Sequence, residues 1–300
     1  MDWALLEEWL EGNRVGEWRA HVPLAGYTSW KIGGPARLMV WPAEEEGFAA
    51  LVRHCSRNGF PVRFIGAGTN LLVADEGVEA LVVHTGTLQH WTWEGERVTA
   101  GAGLLLARLA EAASQRGLSG LEFAAGIPGS FGGALFMNAG AYQKQMSDAV
   151  ESVRALHKDG EIRVLEKKEL AFGYRTGGFP SLGLVILAGT LRLAVADRER
   201  SLALMREYID LRKQKQPLGL PSGGSVFRNP AGGAAGRYID WAGLKGLRIG
   251  NAQISPKHAN FIVNLGGAEA GDVRQLMEVA QKEVKTKFDV SLESEIICWD

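Results

Sequence analysis

Two cysteines in 300 residues, Cys55 and Cys298, exclude a disulfide-built framework, and neither has a partner at metal-ligand spacing. Such sparing use of thiols fits a reducing compartment. Charge of either sign is not in excess: 33 basic residues against 34 acidic give a formal net charge of -1. That removes the global electrostatic footprint of a nucleic-acid or anionic-membrane binder, so any anion must be caught locally. No uninterrupted apolar run reaches membrane-spanning length. The first residues, MDWALLEEWLEGN, are acidic and amphipathic and lack the basic start of a signal peptide. HExxH and clusters of Cys with His are missing, which disfavours metal catalysis. Neither a solenoid period nor a low-complexity tract is present. The expectation is a cytoplasmic, globular chain whose length favours two or three subdomains.

What the chain has in plenty is glycine: 39 residues, roughly twice the usual share of about 7%. They gather in GAGTN (66–70), AGAG (100–103) and GIPGSFGGALFMNAGAYQ (126–143), each following a strand-like run. GAGTN resembles the start of a dinucleotide fingerprint, but Leu71 stands where the third glycine belongs and no helical pattern follows, which argues against a Rossmann site. Successive backbone N–H groups in such turns form anion-binding nests, and missing Cβ atoms let main chain approach a pyrophosphate or a flat ring. Tight loop packing is the alternative reading of the same glycines.

Periodicity predicts an α+β chain. RLMVWP is a strand stopped at Pro42, and Phe48, Leu51, Val52 and Cys55 mark a helix closed by Gly59. PVRFI then completes a β-α-β unit. The middle block alternates the strands EALVVHTG, RVTAGAG, VESVRALHKDG, EIRVLEKK and LVILAGTLRLAV with one helix near Leu104–Arg116. Asp197 is a good N-cap for DRERSLALMREYIDLRKQ. A third block holds the strands SVFRN, AQIS and FIVNL, a short helix near RYIDWAG, a last helix through Val273, Leu276, Met277, Ala280 and Val284, and SLESEIICW as a terminal strand. The expected domains are 1–65, with 296–300 returning to it, then 66–196 and 197–295.

Three polar elements lie outside the glycine turns: Tyr174 and Arg175 in FGYRTGG, Ser225 in SGGSVFRN, and Glu293 with Glu295 on one strand face by the period of two. Taken with YTSWKIGGPA, GAGTNLLV, GIPGSFGGALFMNAGAY, QPLGLPSGGSVFRNP, GLKGLRIGNAQISPKHANFIVN and LESEI in that order, they resemble the UDP-N-acetylenolpyruvoylglucosamine reductase family over nearly the whole chain.

The resemblance implies a two-subdomain, non-Rossmann FAD-binding fold of PCMH type plus an α+β C-terminal substrate-binding domain. It implies non-covalent FAD held by Gly66, Ala67, Gly68, Thr69, Asn70 and Leu71 and by Gly126, Ile127, Pro128, Gly129, Ser130, Gly132 and Gly133. Arg175, Ser225 and Glu295 are then the catalytic residues, and Tyr174, Lys215, Asn229 and Asn260 touch the substrate. NADPH is the implied hydride donor, and the product is the lactyl ether used in peptidoglycan precursors; neither nucleic acid nor membrane is implied as a partner. The short span from Arg175 to Ser225 resembles the compact type that lacks an inserted substrate-covering loop. Thr69, Gly178, Gly223 and Arg228 depart from the commoner Ser, Ser, Ala and Lys. A flavin oxidase of related fold with a covalent flavin, and a non-catalytic nucleotide-binding regulator, are the alternatives. No His or Cys lies in the GAGTN or GIPGSFGG turns to carry a covalent flavin.

Overall fold

The predicted helix through Phe48, Leu51, Val52 and Cys55 forms as Glu45–Asn58 and buries all four side chains. The computed structural model describes residues 2–300, and tertiary contacts divide the chain into two units. The first comprises the chain up to His21, Arg37–Ala67 and Glu79–Ile209; the second comprises Val22–Ala36, Gly68–Val78 and Asp210–Asp300.

A four-stranded sheet, most of whose residues fall in the first unit, runs in the order Gly16–Pro23, Pro35–Pro42, Val78–His84, Val62–Ile65. Its last two strands are parallel, with Val62 opposite Leu81 and Ile65 opposite His84. A second sheet of five antiparallel strands has the order Ile162–Glu166, Val150–His157, Leu184–Arg192, Arg97–Gly101, Trp91–Glu94. One hydrophobic core serves both sheets. It joins Leu6 and Leu10 of the helix Trp3–Gly12 and Phe48 and Leu51 of Glu45–Asn58 to Leu109 and Ala113 of the helix Leu106–Gln115.

The second unit packs the helices Ala235–Trp241 and Ala270–Phe288 with a small sheet of Arg248–Ile249, Ala252–Ile254 and Ile262–Asn264. Val273, Leu276, Met277, Ala280 and Val284 are buried on the last helix, as their spacing predicts. The Asp75 carboxylate accepts from the backbone N–H of Ala270 at 2.8 Å, placing an anion at the positive end of that helix.

Several elements differ from the sequence expectation. SVFRN makes no regular strand; Ser222 and Phe227 form isolated bridges, and the flanking Gly223, Gly224 and Pro230 limit any ladder. SLESEI likewise pairs only at Ser294. The terminal strand Ile297–Trp299 lies parallel to Leu71–Val73, beyond the first 65 residues. A short helix, Phe131–Phe136, opens in the glycine-rich segment where no apolar period announces one. Finally, Val22–Ala36 and Gly68–Val78 belong to the second unit, and the helix Arg198–Lys215 is divided between the units near Ile209. No helix of the described residues is long and apolar enough to cross a membrane.

Candidate active site

GAGTN follows the strand Val62–Ile65 and is followed by the short strand Leu71–Val73. A Rossmann turn would lead into a helix there. Within the first unit the glycine turns come together. Phe131 N donates to Leu104 O at 2.7 Å, Gly132 N to Ala102 O at 2.8 Å and Leu106 N to Gly129 O at 3.0 Å, which binds the segment 129–132 to the turn after Arg97–Gly101. Gly129 has φ +136°, a backbone closed to most L side chains. Gly66 packs against Ser130 so closely that a Cβ there would enter the van der Waals shell of Ser130 Oγ. Ser130 in turn caps Phe131–Phe136 by accepting from Gly133 N at 3.3 Å. Beside these turns, burial lowers the pKa of His84, which keeps it neutral at physiological pH, and its Nδ1 accepts from Gly86 N at 3.3 Å.

This assembly fits a flavin dinucleotide. The turns 66–71 and 126–133 contain no Lys or Arg, so an anion bound at either would be met by main chain. The geometry also separates the glycines by task. The amides of Ile127, Gly132 and Gly133 are engaged by Ala124 O, Ala102 O and Ser130 Oγ, so they hold the cradle's own backbone together. Gly68, Thr69, Asn70 and Leu71 fall in the second unit. There Asn70 Nδ2 donates to Glu295 O at 2.9 Å, and Leu71 is buried against the terminal strand.

Arg175 belongs to the first unit and sits in a tight turn. Gly173 and Thr176 exchange backbone hydrogen bonds of 2.9 and 3.3 Å around it. Its φ is +57°, its Nη1 donates to Gly140 O at 3.1 Å, and its guanidinium lies 5.4 Å from the centre of the Tyr174 ring. Tyr174 is exposed, at 52%. The neighbouring hairpin of Gly140–Ala141 and Lys144–Gln145 turns through Tyr142 and Gln143, both at positive φ. Tyr142 stacks on Tyr208 at 3.8 Å and donates its hydroxyl to Tyr208 O at 3.0 Å. No periodicity in the sequence announces this pair.

In the second unit, Ser225 and Glu295, seventy positions apart in sequence, become neighbours. Glu295 N donates to Val226 O at 2.8 Å, Arg228 N donates to Glu293 O at 2.9 Å, and Val226 N donates to Asn260 O at 2.9 Å. Asn260 is read from sequence as a substrate contact, but it is buried and both ends of its amide serve Phe227. Oδ1 accepts from Phe227 N at 3.0 Å and Nδ2 donates to Phe227 O at 2.8 Å. It mimics a strand partner and fixes the Ser225 segment. His258, whose pKa burial lowers, accepts from Asn260 N at 3.2 Å and completes that support. At Gly223 the Trp30 ring fills the space a side chain would need: its Cζ3 would lie 2.5 Å from a methyl group. Asn229 is exposed and accepts from Ala235 N at 3.0 Å, and Lys215 is an exposed residue ending the helix Arg198–Lys215.

Comparison with known proteins defines first the class. Residues 36–166 match the FAD binding domain family, and residues 216–299 match the C-terminal domain of UDP-N-acetylenolpyruvoylglucosamine reductase. A berberine bridge enzyme variant, 13% identical with a TM-score of 0.50 over 64% of this chain and 44% of its own, shares the fold. The protein is an FAD-dependent oxidoreductase with a PCMH-type flavin domain. The UDP-N-acetylenolpyruvoylglucosamine reductase of Bacillus subtilis (strain 168) is 42% identical over 289 residues, covering 96% of this chain and 95% of the relative. That of Clostridium tetani is 41% identical over 274 residues, covering 91% and 89%. The crystal structure of the enzyme from Thermus caldophilus superimposes with a TM-score of 0.82 at 40% identity, covering 95% of this chain and all of that one. The chain therefore belongs to the UDP-N-acetylenolpyruvoylglucosamine reductase family of peptidoglycan precursor synthesis.

Proposed function

We propose that the protein reduces the enolpyruvyl ether of UDP-N-acetylglucosamine to the lactyl ether of UDP-N-acetylmuramate with NADPH, that Arg175, Ser225 and Glu295 perform the chemistry on the substrate, and that it does so in the cytoplasm. Bound FAD would supply the hydride chemistry between NADPH and C3 of the enolpyruvyl group. Gly66, Ala67, Gly68 and Thr69 of the one turn and Gly126, Gly129 and Ser130 of the other would hold it non-covalently. Asn70 orients Glu295 through its backbone carbonyl.

Hydride arrival at C3 leaves negative charge at C2 and the adjoining carboxylate, and fixed donors stabilise such charge best. Arg175 meets the carboxylate with its planar fork. Glu295 assists either as the neutral acid or with a cation between it and the substrate carboxylate, because an ionised carboxylate alone would repel the enolate. Ser225 delivers the proton to C2. A serine hydroxyl is a weak acid, so the proton must be replenished by a charged neighbour such as Lys215 or through water. Tyr174 and Asn229, both exposed, complete the substrate contacts. The single observation that carries this reading is the hydrogen bond from Glu295 N to Val226 O, which brings two of the three implied catalytic residues together from distant positions in the chain.

The test separates the half-reactions of Ser225→Ala by rapid mixing. Bleaching of the flavin by NADPH should stay within a few-fold of wild type. Reoxidation by the enolpyruvyl substrate should slow by about 10² to 10⁴, the range for a lost general acid. Equal slowing of both halves would assign Ser225 to the flavin pocket, and no slowing of either would end the assignment.

A further inference from the structure

We infer that Asn138 is a positioning residue for the reaction, holding the turn that presents Arg175. The inference rests on the proposed role of Arg175 at the substrate carboxylate. Arg175 occupies left-handed backbone at φ +57°, a conformation a long side chain keeps only when its surroundings enforce it. Three bonds enforce it. Asn138 Nδ2 donates to Gly173 O at 2.9 Å at the base of the turn, Gly177 N donates to Phe136 O at 2.8 Å just past it, and Arg175 Nη1 donates to Gly140 O at 3.1 Å.

Asn138 links all three anchor points. It lies two residues after Phe136 and two before Gly140, so its backbone helps set the spacing of the two carbonyls that receive Gly177 and Arg175. It is itself 1% exposed at φ +45°, a region asparagine tolerates better than most residues. Its amide is fully employed: Nδ2 also donates to Gln145 Oε1 at 3.1 Å, and Oδ1 accepts from Ser147 N at 2.9 Å. The side chain thus ties the Arg175 turn to the hairpin whose first strand carries Gly140. Releasing it frees the guanidinium to drift while leaving its charge in place. A misplacement of about 1 Å is enough to cost roughly 10²-fold in rate.

The test uses flavin-loaded enzyme reduced anaerobically with dithionite and then mixed rapidly with enolpyruvyl-UDP-N-acetylglucosamine. Asn138→Gly keeps the positive φ without strain and removes only the side chain. Asn138→Asp keeps the acceptor for Ser147 and replaces the Nδ2 donor that serves both Gly173 O and Gln145 Oε1. Both should retain flavin, slow reoxidation by about 10²-fold, and weaken substrate binding to the oxidised enzyme by calorimetry. The decisive comparison is with Arg175→Lys. If Asn138 acts through Arg175, adding Asn138→Gly to Arg175→Lys should slow reoxidation by less than about threefold more, because residues that share one function are non-additive.

Additive losses would reduce Asn138 to a general structural role and overturn the inference, as would wild-type reoxidation in both Asn138 variants. Wild-type reoxidation in Arg175→Lys would overturn the reading of Arg175 itself. Should Asn138→Gly fail to hold flavin, Asn138→Asp, alone and combined with Arg175→Lys, decides by the same criteria.

Discussion

Gly66→Ala is the smallest perturbation that probes how the flavin turns are assembled. Gly66 is not among the glycines with positive φ, so a methyl group brings no torsional strain. The conflict is local. An ideal Cβ would lie 3.2 Å from Ser130 Cβ and inside contact distance of Ser130 Oγ, whereas Thr85 Oγ1, at 3.8 Å, is an ordinary neighbour. The cheapest relief is rotation of the Ser130 hydroxyl, which forfeits its bond to Gly133 N and uncaps Phe131–Phe136. A lost cap costs about 1 kcal/mol, and residual overpacking adds about 1 kcal/mol or more. A total near 2 kcal/mol lowers the melting temperature by roughly 3 °C in a chain of 300 residues, whose unfolding entropy is about 0.6 kcal/mol/K.

The same displacement separates the turns at 66 and 130, so FAD content should fall together with stability. Ser130→Ala alone loses the cap, about 1 kcal/mol. Combining the two should cost clearly less than their sum, because the atom that obstructs the new methyl group is gone. Thermal melts and flavin absorbance of the four proteins decide the matter. Additive melting shifts would show that Ser130 Oγ is not the obstruction, and full flavin content in Gly66→Ala would remove these turns from the pyrophosphate site.

Gly129→Ala, at φ +136°, should lose flavin, while Gly59→Ala, also at positive φ but with nothing near its Cβ, should keep it; equal flavin in both would leave Gly129 without a special role. Burial pushes the Cys55 thiol up to about 12, so alkylation of the folded protein at neutral pH should modify only Cys298, and both thiols after denaturation; modification of Cys55 in the folded state would contradict its burial. Hydrogen bonds from Arg97 and then Arg192 hold the Glu151 carboxyl down at about 2, against an ordinary value of 4.5. Its contribution is therefore present above about pH 4.5 and is lost as pH falls toward 2. The stability gap between wild type and Glu151→Gln in urea should narrow from pH 6 to pH 3, modestly because the pair is exposed, and an unchanged gap would refute the linkage.

Local periodicity carried far in this protein. The helices Glu45–Asn58 and Ala270–Phe288 were legible because a repeating apolar face is written in consecutive residues and needs no distant partner to be recognised. The glycine turns were legible for a similar reason: glycine at the end of a strand marks backbone that must bend or be approached closely. The ordered motifs carried the family as well. Sequence alone left open what each glycine and each polar residue does, because that depends on which atoms arrive beside it. Gly132 and Gly133 read as donors to a pyrophosphate until the fold gives their amides to Ala102 O and Ser130 Oγ. Asn260 reads as a substrate contact until its amide closes on Phe227, and only the fold shows that the Asn70 amide donates to the Glu295 carbonyl. SVFRN has the composition of a strand, yet its hydrogen bonds go to Asn260 and to the segment 293–295, far along the chain. A hydrogen bond between residues 69 or 225 positions apart leaves no periodic trace, so the pairing of Val226 with Glu295 and of Asn70 with Glu295 was decided by tertiary closure alone.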